Sequence, residues 1–203
     1  NAQRVISGTY HNHPFWLGMY YYTIQAGKHS KTLAHGVINI TLPRALPRVI
    51  IDGRQNLVNL GMDVDKSQRL ELEGDFNKYF SVYCPKDYER DVLYFLTPEL
   101  MQQLIDMDDG FDVEIVGNEL YFYSRGLIRP QQRQLKQFFA LIDTVATEVV
   151  ENGQRYQDHR IDKKLGTVAS SGLEIKRSLW PTVVGTVLAI AYVVFSIIDA
   201  VMD

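Results

Sequence analysis

One cysteine, Cys84, stands alone in 203 residues, so no intrachain disulfide and no paired-cysteine metal centre can form. The chain has no Gly-x-Ser-x-Gly, no phosphate-cradling glycine loop and no His-Glu-x-x-His, which removes the usual sequence grounds for a hydrolase, a nucleotide enzyme or a zinc protease. Net charge is only −3, with no basic domain or stripe, so no nucleic-acid footprint is present and nucleic acid is not expected as a partner. Repeats and low-complexity tracts are also missing. The most informative absence is local: Leu179 to Ile198 contains no charged residue at all.

Those twenty residues would extend roughly 30 Å as a helix, about the thickness of a bilayer's hydrocarbon core. Ser178 is placed to cap the helix, Pro181 falls in its first turn, and Trp180 stands at interfacial depth. Val183, Val184, Val187, Leu188, Ile190, Val193, Val194, Phe195, Ile197 and Ile198 spread apolar surface around the circumference, leaving no polar face. A transmembrane helix is therefore expected over 179–202. Arg155, Arg160, Lys163, Lys164, Lys176 and Arg177 precede it, while only Asp199 and Asp203 follow. Positive residues stay inside, so a cell-membrane location is expected, single-pass in this segment, with residues 1–177 in the cytoplasm. Gly185 and Ala189 form a small-xxx-small pair that would let two such helices approach, making a homodimer possible. The start at Asn1-Ala2-Gln3 reads as that of a processed or excised segment.

Periodicity upstream points to an α+β domain over 1–150. Phe15 to Ile24 is an aromatic-rich strand, and Val37 to Leu42 alternates with period two. Pro43 and Pro47 are expected to interrupt the sheet before Val49-Ile50-Ile51. Arg69 to Glu73, Tyr79 to Tyr83 and Val92 to Leu96 read as further strands. Thr97-Pro98-Glu99 marks a helix start, with Leu100, Met101, Leu104 and Ile105 as its buried face. Phe111–Ile115 and Leu120–Tyr123 flank Gly117-Asn118, the pattern of a two-residue hairpin. Leu135, Phe138, Ile142, Val145 and Val149 then recur at helical spacing. The expectation is an antiparallel meandering sheet covered by one long and one short helix. Residues 151–178, polar and without period, are expected as a tether to the membrane.

Candidate sites are sparse. His11 and His13 flank Asn12 and would share one face of a strand, so with a carboxylate they could hold a metal. Without a visible third ligand they are weak candidates, and the expectation is no metal and no cofactor. Arg44, Arg48 and Arg54 cluster around the two prolines and are candidates for a phosphate or lipid headgroup. Residues 62–119 carry fifteen acidic residues against five basic ones, a face suited to a basic protein partner.

One stretch goes beyond composition. Leu72-Glu73-Gly74-Asp75-Phe76, Tyr79-Phe80, Val82-Tyr83, Pro85, Tyr88-Glu89, Asp91, Leu93-Tyr94 and Thr97-Pro98 resemble a signature of bacterial membrane-associated proteins of unknown function. Leu42 to Arg48 with Val49 to Asp52 is similar to a motif preceding it. The resemblance spans roughly residues 37–124. It implies a cytosol-facing α+β domain attached to one or more transmembrane helices, and it transfers no catalytic residue. Glu73, Asp75, Tyr88, Glu89 and Asp91 are its candidates for partner binding. A non-enzymatic binding or scaffolding module is the expected function. The alternative is a metal-dependent enzyme at the inner membrane face.

Overall fold

A computed structural model of the chain describes residues 2–10, 12–26, 29–54, 64–72, 74–107, 111–124, 136, 139–140, 142–161 and 167–178. Strands β1 (Ala2–Tyr10), β2 (His13–Ala26) and β3 (His29–Gly53) form an antiparallel meander. Tyr10 pairs with His13 and Ala26 with His29, so each connection is two residues long. Asn12 takes a φ of 66°, the left-handed conformation such tight turns demand and that asparagine tolerates best after glycine.

β3 is the spine of the sheet. One of its edges carries β2 along residues 29–40, then β5 (Phe80–Tyr83) along 50–53, while β6 (Asp112–Ser124) follows the other edge from Gly36 to Ile51. The two-residue β4 (Arg69–Leu70) closes the far side against β5. The order is β1-β2-β3-β5-β4, with β6 off that path on β3.

Two expectations about this sheet are corrected. Pro43 and Pro47 do not end β3, because they fall where its partners change and where the β6 register shifts between Thr41, Leu46 and Val49. A bulged stretch has ladder positions to spare, so a missing N–H does little harm. Gly117-Asn118 is likewise no hairpin turn. β6 runs straight through it, and Gly117, at φ +60°, sits opposite Leu46 at the register shift. Glycine supplies a bulge conformation that a residue with Cβ would resist.

Helices α1 (Phe76–Tyr79), α2 (Glu89–Val92), α3 (Pro98–Met107) and α4 (Thr147–Gln154) accompany the sheet. Their buried residues join one core with β3 and β6: Ile38, Ile40, Leu46, Leu120 and Phe122 meet Phe76, Val92, Leu100, Leu104 and Val149. Each such side chain taken fully out of water contributes about 1.5–3 kcal/mol before entropy is counted. The α3 start is as expected: the Leu100 N–H donates to Thr97 Oγ1 at 3.2 Å, with Pro98 in the first turn. An antiparallel sheet with a few helices, an α+β arrangement, is the observed class.

Other elements differ from the sequence reading. Val92–Leu96 is not a strand: Val92 closes α2, and the N–H of Leu96 turns back to the Val92 carbonyl at 2.9 Å. Of the expected 69–73 strand, only Arg69 and Leu70 pair among the described residues. Ile142, Val145 and Val149 are buried as their spacing predicts, but through a wide π-helical turn (Ile142–Ala146) leading into α4, which passes residue 150. Leu135 and Phe138 lie outside the described residues. No described helix is long and apolar enough to cross a membrane; Leu179–Ile198, with Gly185 and Ala189, also lies outside them.

Cys84 is buried, and burial first, then the nearby Glu89 and Asp91 charges, push its thiol up to about 12. Iodoacetamide at pH 8 should therefore leave the native protein unmodified and alkylate it fully in denaturant. Stoichiometric labelling of the native chain, read by mass, would contradict that placement.

Candidate functional site

The segment expected as a tether is instead a strap fastened to the domain. After α4 the chain presents Tyr156, Asp158 and Arg160 in quick succession, then returns as residues 167–178. Tyr156, Asp158, Val168 and Gly172 are all buried. A linker reaching into water would bury none of them. The correction has a physical cause: the segment finds partners at Tyr88 and Asp91 and at Asp65 and Gln68, far away in sequence.

The first fastening is built on Tyr88 and α2. Asp87 adopts φ +72° and delivers Tyr88 into the interior, where its exposure is 0%. The Tyr88 hydroxyl donates to Asp158 Oδ2 at 2.9 Å. The Ala169 N–H donates to that same oxygen at 3.0 Å, and the Arg160 N–H to Oδ1 at 3.0 Å. Arg160 then forks onto Asp91, with Nη1 to Oδ1 at 3.1 Å and Nη2 to Oδ2 at 3.0 Å. Its guanidinium lies 3.9 Å above the Tyr88 ring centre, and it also donates to the Asp87 carbonyl. The Tyr156 hydroxyl completes the group by donating to Asp91 Oδ1 at 2.9 Å.

The electrostatics follow from this wiring. Burial works against the charge of Asp158, but the Ala169 and Arg160 amides, the Tyr88 hydroxyl and the Arg160 guanidinium outweigh it, holding the carboxyl below its ordinary value. Arg160 is held more firmly cationic by its hydrogen bonds to Asp91, and then to Asp158. Burial, followed by the Asp91 hydrogen bond and charge, raises Tyr156, which stays a donor. Asp158 is thus saturated with four donors, while Asp91 takes three, two on Oδ1 and one on Oδ2. Asp158 serves as a structural acceptor, since a general base would need a free lone pair.

The second fastening is nearer the chain's end. Gln68 is buried, and its side-chain amide reads the backbone of Lys176 on both sides: Nε2 donates to the Lys176 carbonyl at 2.8 Å, and the Lys176 N–H donates to Oε1 at 3.0 Å. The Asp65 N–H adds a bond to the same carbonyl at 3.0 Å, and Val64 bridges Arg177. The strap is held like a short strand up to the residue before Ser178.

The candidates named from sequence are scattered by this arrangement. Tyr88 has no surface to offer a partner, and Asp91, its side chain 14% exposed, belongs to the Arg160 fork; both are corrected from docking residues to fastening residues. Asp75 is exposed and paired with Lys78 at 2.7 Å, Glu89 is exposed in the first turn of α2, and Glu73 lies outside the described residues. Arg48 is held by Glu114 at 2.7 Å, whose other oxygen accepts from the Tyr123 hydroxyl at 3.0 Å. Arg48 is therefore a neutralised side chain and no free anion site. Arg44 is half-buried, and Arg54 is exposed just past the end of β3. His13 is half-buried opposite Tyr10, while His11 lies outside the described residues. Among the described residues no three His, Cys, Asp or Glu side chains gather as metal ligands would.

Sequence reasoning missed Gln68, Tyr156, Asp158, Arg160 and Gly172. A signal was present: Tyr156, Ile161, Val168, Leu173 and Ile175 are too many apolar residues for a solvated linker. No family model, curated protein or solved structure matches this chain.

Proposed function

We propose that this chain is a membrane-anchored, non-enzymatic binding module whose α+β domain is held close against the cytoplasmic face by its strap. One observation carries the reading: the bridge of the strap's Arg177 to Val64 stands two residues before the uncharged segment Leu179–Ile198. A spanning helix there would leave the domain little freedom to swing. The saturated state of Asp158, and the holding of Asp91 by Arg160 and Tyr156, favour a binding role over acid–base chemistry. Exposed Glu89 remains available to a basic protein partner, while Asp75 would first have to leave Lys78. Gly185 and Ala189 would give a spanning helix a close-approach face for a second copy. The resemblance to bacterial membrane-associated proteins agrees with this assignment.

Alkaline extraction of membranes from cells expressing the full chain tests it. The protein should stay in the pellet, and the double variant Val187→Asp, Leu188→Lys should move to the supernatant, since each charge costs about 2.5–3.5 kcal/mol at a helix centre. In sealed inside-out vesicles, added trypsin should digest residues 1–178. Recovery of the unmodified chain in the soluble fraction would overturn the reading.

A further inference from the structure

Resting on that anchored reading, the geometry points to a specific lipid-facing surface: the rim formed by Lys66, Lys86, Lys176 and Arg177 lies on anionic phospholipid headgroups. The argument begins with reach. Arg177 is bridged to Val64, and two extended residues from there to Leu179 span at most roughly 7 Å. The headgroup layer on each side of a bilayer is of similar depth, about 5–8 Å. The short 3₁₀ turn Lys66–Gln68 and the strap end therefore belong at headgroup level.

The charge at that level is the second observation. Lys66, Lys86, Lys176 and Arg177 are all exposed. Lys86 and Lys176 both act electrostatically on Asp65, so side chains from three separate segments converge at this end of the domain. Acids are present too: Asp65, Asp87 and Glu174. The Asp65 carboxylate is engaged by the Ser67 N–H at 2.9 Å, capping the 3₁₀ turn, and the four cations outnumber the three acids at this end. Leu173, exposed three positions before Lys176, supplies an apolar side chain of the sort that settles at an interface. Basic side chains within a Debye length of a membrane, about 8 Å, feel its surface potential with little screening. Exposed Glu89 of α2, by contrast, need not contact lipid and is left for other partners.

The test uses the full chain in vesicles carrying a headgroup-attached quencher. A fluorophore is placed through Ser67→Cys on the rim, or through Ser30→Cys on the same sheet but twenty positions along β3 from Ile50. Buried Cys84 stays unlabelled. On phosphatidylglycerol-containing vesicles, quenching from the rim should exceed that from Ser30 about threefold, as a surface contact demands. Lys66→Glu with Lys86→Glu, both at exposed positions, should cut rim quenching at least twofold while flotation and melting stay unchanged. Equal quenching at the two sites in a floating protein would overturn the lipid-facing rim and leave anchoring intact. Unaltered rim quenching in the double variant, or equal quenching on phosphatidylcholine alone, would overturn the role of charge. A chain that does not float with vesicles at all would sink the anchored reading and this surface with it.

Discussion

Asp158→Ala should destabilise the full chain by about 3 kcal/mol, the sum of a buried hydroxyl left without an acceptor and several charge-assisted bonds lost at once. The carboxylate accepts from the Tyr88 hydroxyl, the Ala169 and Arg160 amides and the Arg160 guanidinium, and its side chain is fully covered. Nothing solvent-side can replace those four donors' partner. In a chain of this size that loss should lower the melting temperature by about 6–12 °C. Trypsin cleavage at Arg155 and Arg160 should quicken as the strap lifts. Adding Tyr88→Phe removes the orphaned hydroxyl, so the double variant should fall short of additivity by about 1 kcal/mol. A melt of Asp158→Ala within 0.5 kcal/mol of the unmodified chain, with unchanged proteolysis, would mean the strap is not held through this carboxylate.

The same residue gives a pH signature whose sign is fixed. Its carboxyl lies below the ordinary 3.8 in the folded protein. As pH falls, the unfolded chain takes up the proton first, so the folded state loses its advantage only in acid. The stability gap between the unmodified chain and Asp158→Asn should therefore stay constant from neutral pH to about pH 4 and shrink below it. A gap that widened in acid would contradict the wiring around Asp158.

Gly172→Ala should cost a similar amount, about 3 kcal/mol, by overpacking. An added Cβ would stand 2.4 Å from Val168 Cγ1 and 2.6 and 2.8 Å from Cζ and Cε1 of the Tyr88 ring. That ring cannot retreat easily, because Arg160 covers it and Asp158 holds its hydroxyl. Trimming Val168→Ala in the same chain should restore only part of the loss, since the ring contact stays. Gly74→Ala and Gly117→Ala make the contrast. Both glycines have positive φ with nothing within 4 Å of a built Cβ, so each should cost about 1–2 kcal/mol from backbone conformation alone. Urea melts of the three variants separate the two mechanisms, and a Gly172→Ala variant no worse than Gly74→Ala would refute the steric one.

How far the sequence could be read depended on whether the deciding contact was local. The α3 start was legible because Thr97 caps an amide three residues away. The strand character of residues 15–24, 37–42 and 80–83 was legible because alternation shows on a single strand. The hairpin expected at Gly117-Asn118 failed for the opposite reason. A glycine between two alternating runs fits a turn or a bulge equally well, and only the 25-residue partner β3 selects the bulge. The strap was illegible on the same grounds: Gln68 and Lys176 are separated by 108 residues, and Tyr88 and Asp158 by 70.

The sequence by itself determined the uncharged segment at 179–198, its basic flank, the single thiol and the alternating and helical stretches of the domain. All of these follow from composition and short-range spacing, which need no partner to be read. The tertiary structure alone decided that Tyr88 and Asp91 face inward, that Arg160 forks onto α2, and that the domain is fastened up to Arg177. Burial and hydrogen bonding between distant segments decide such matters, because a polar residue is a surface group or an interior one according to the partner that meets it.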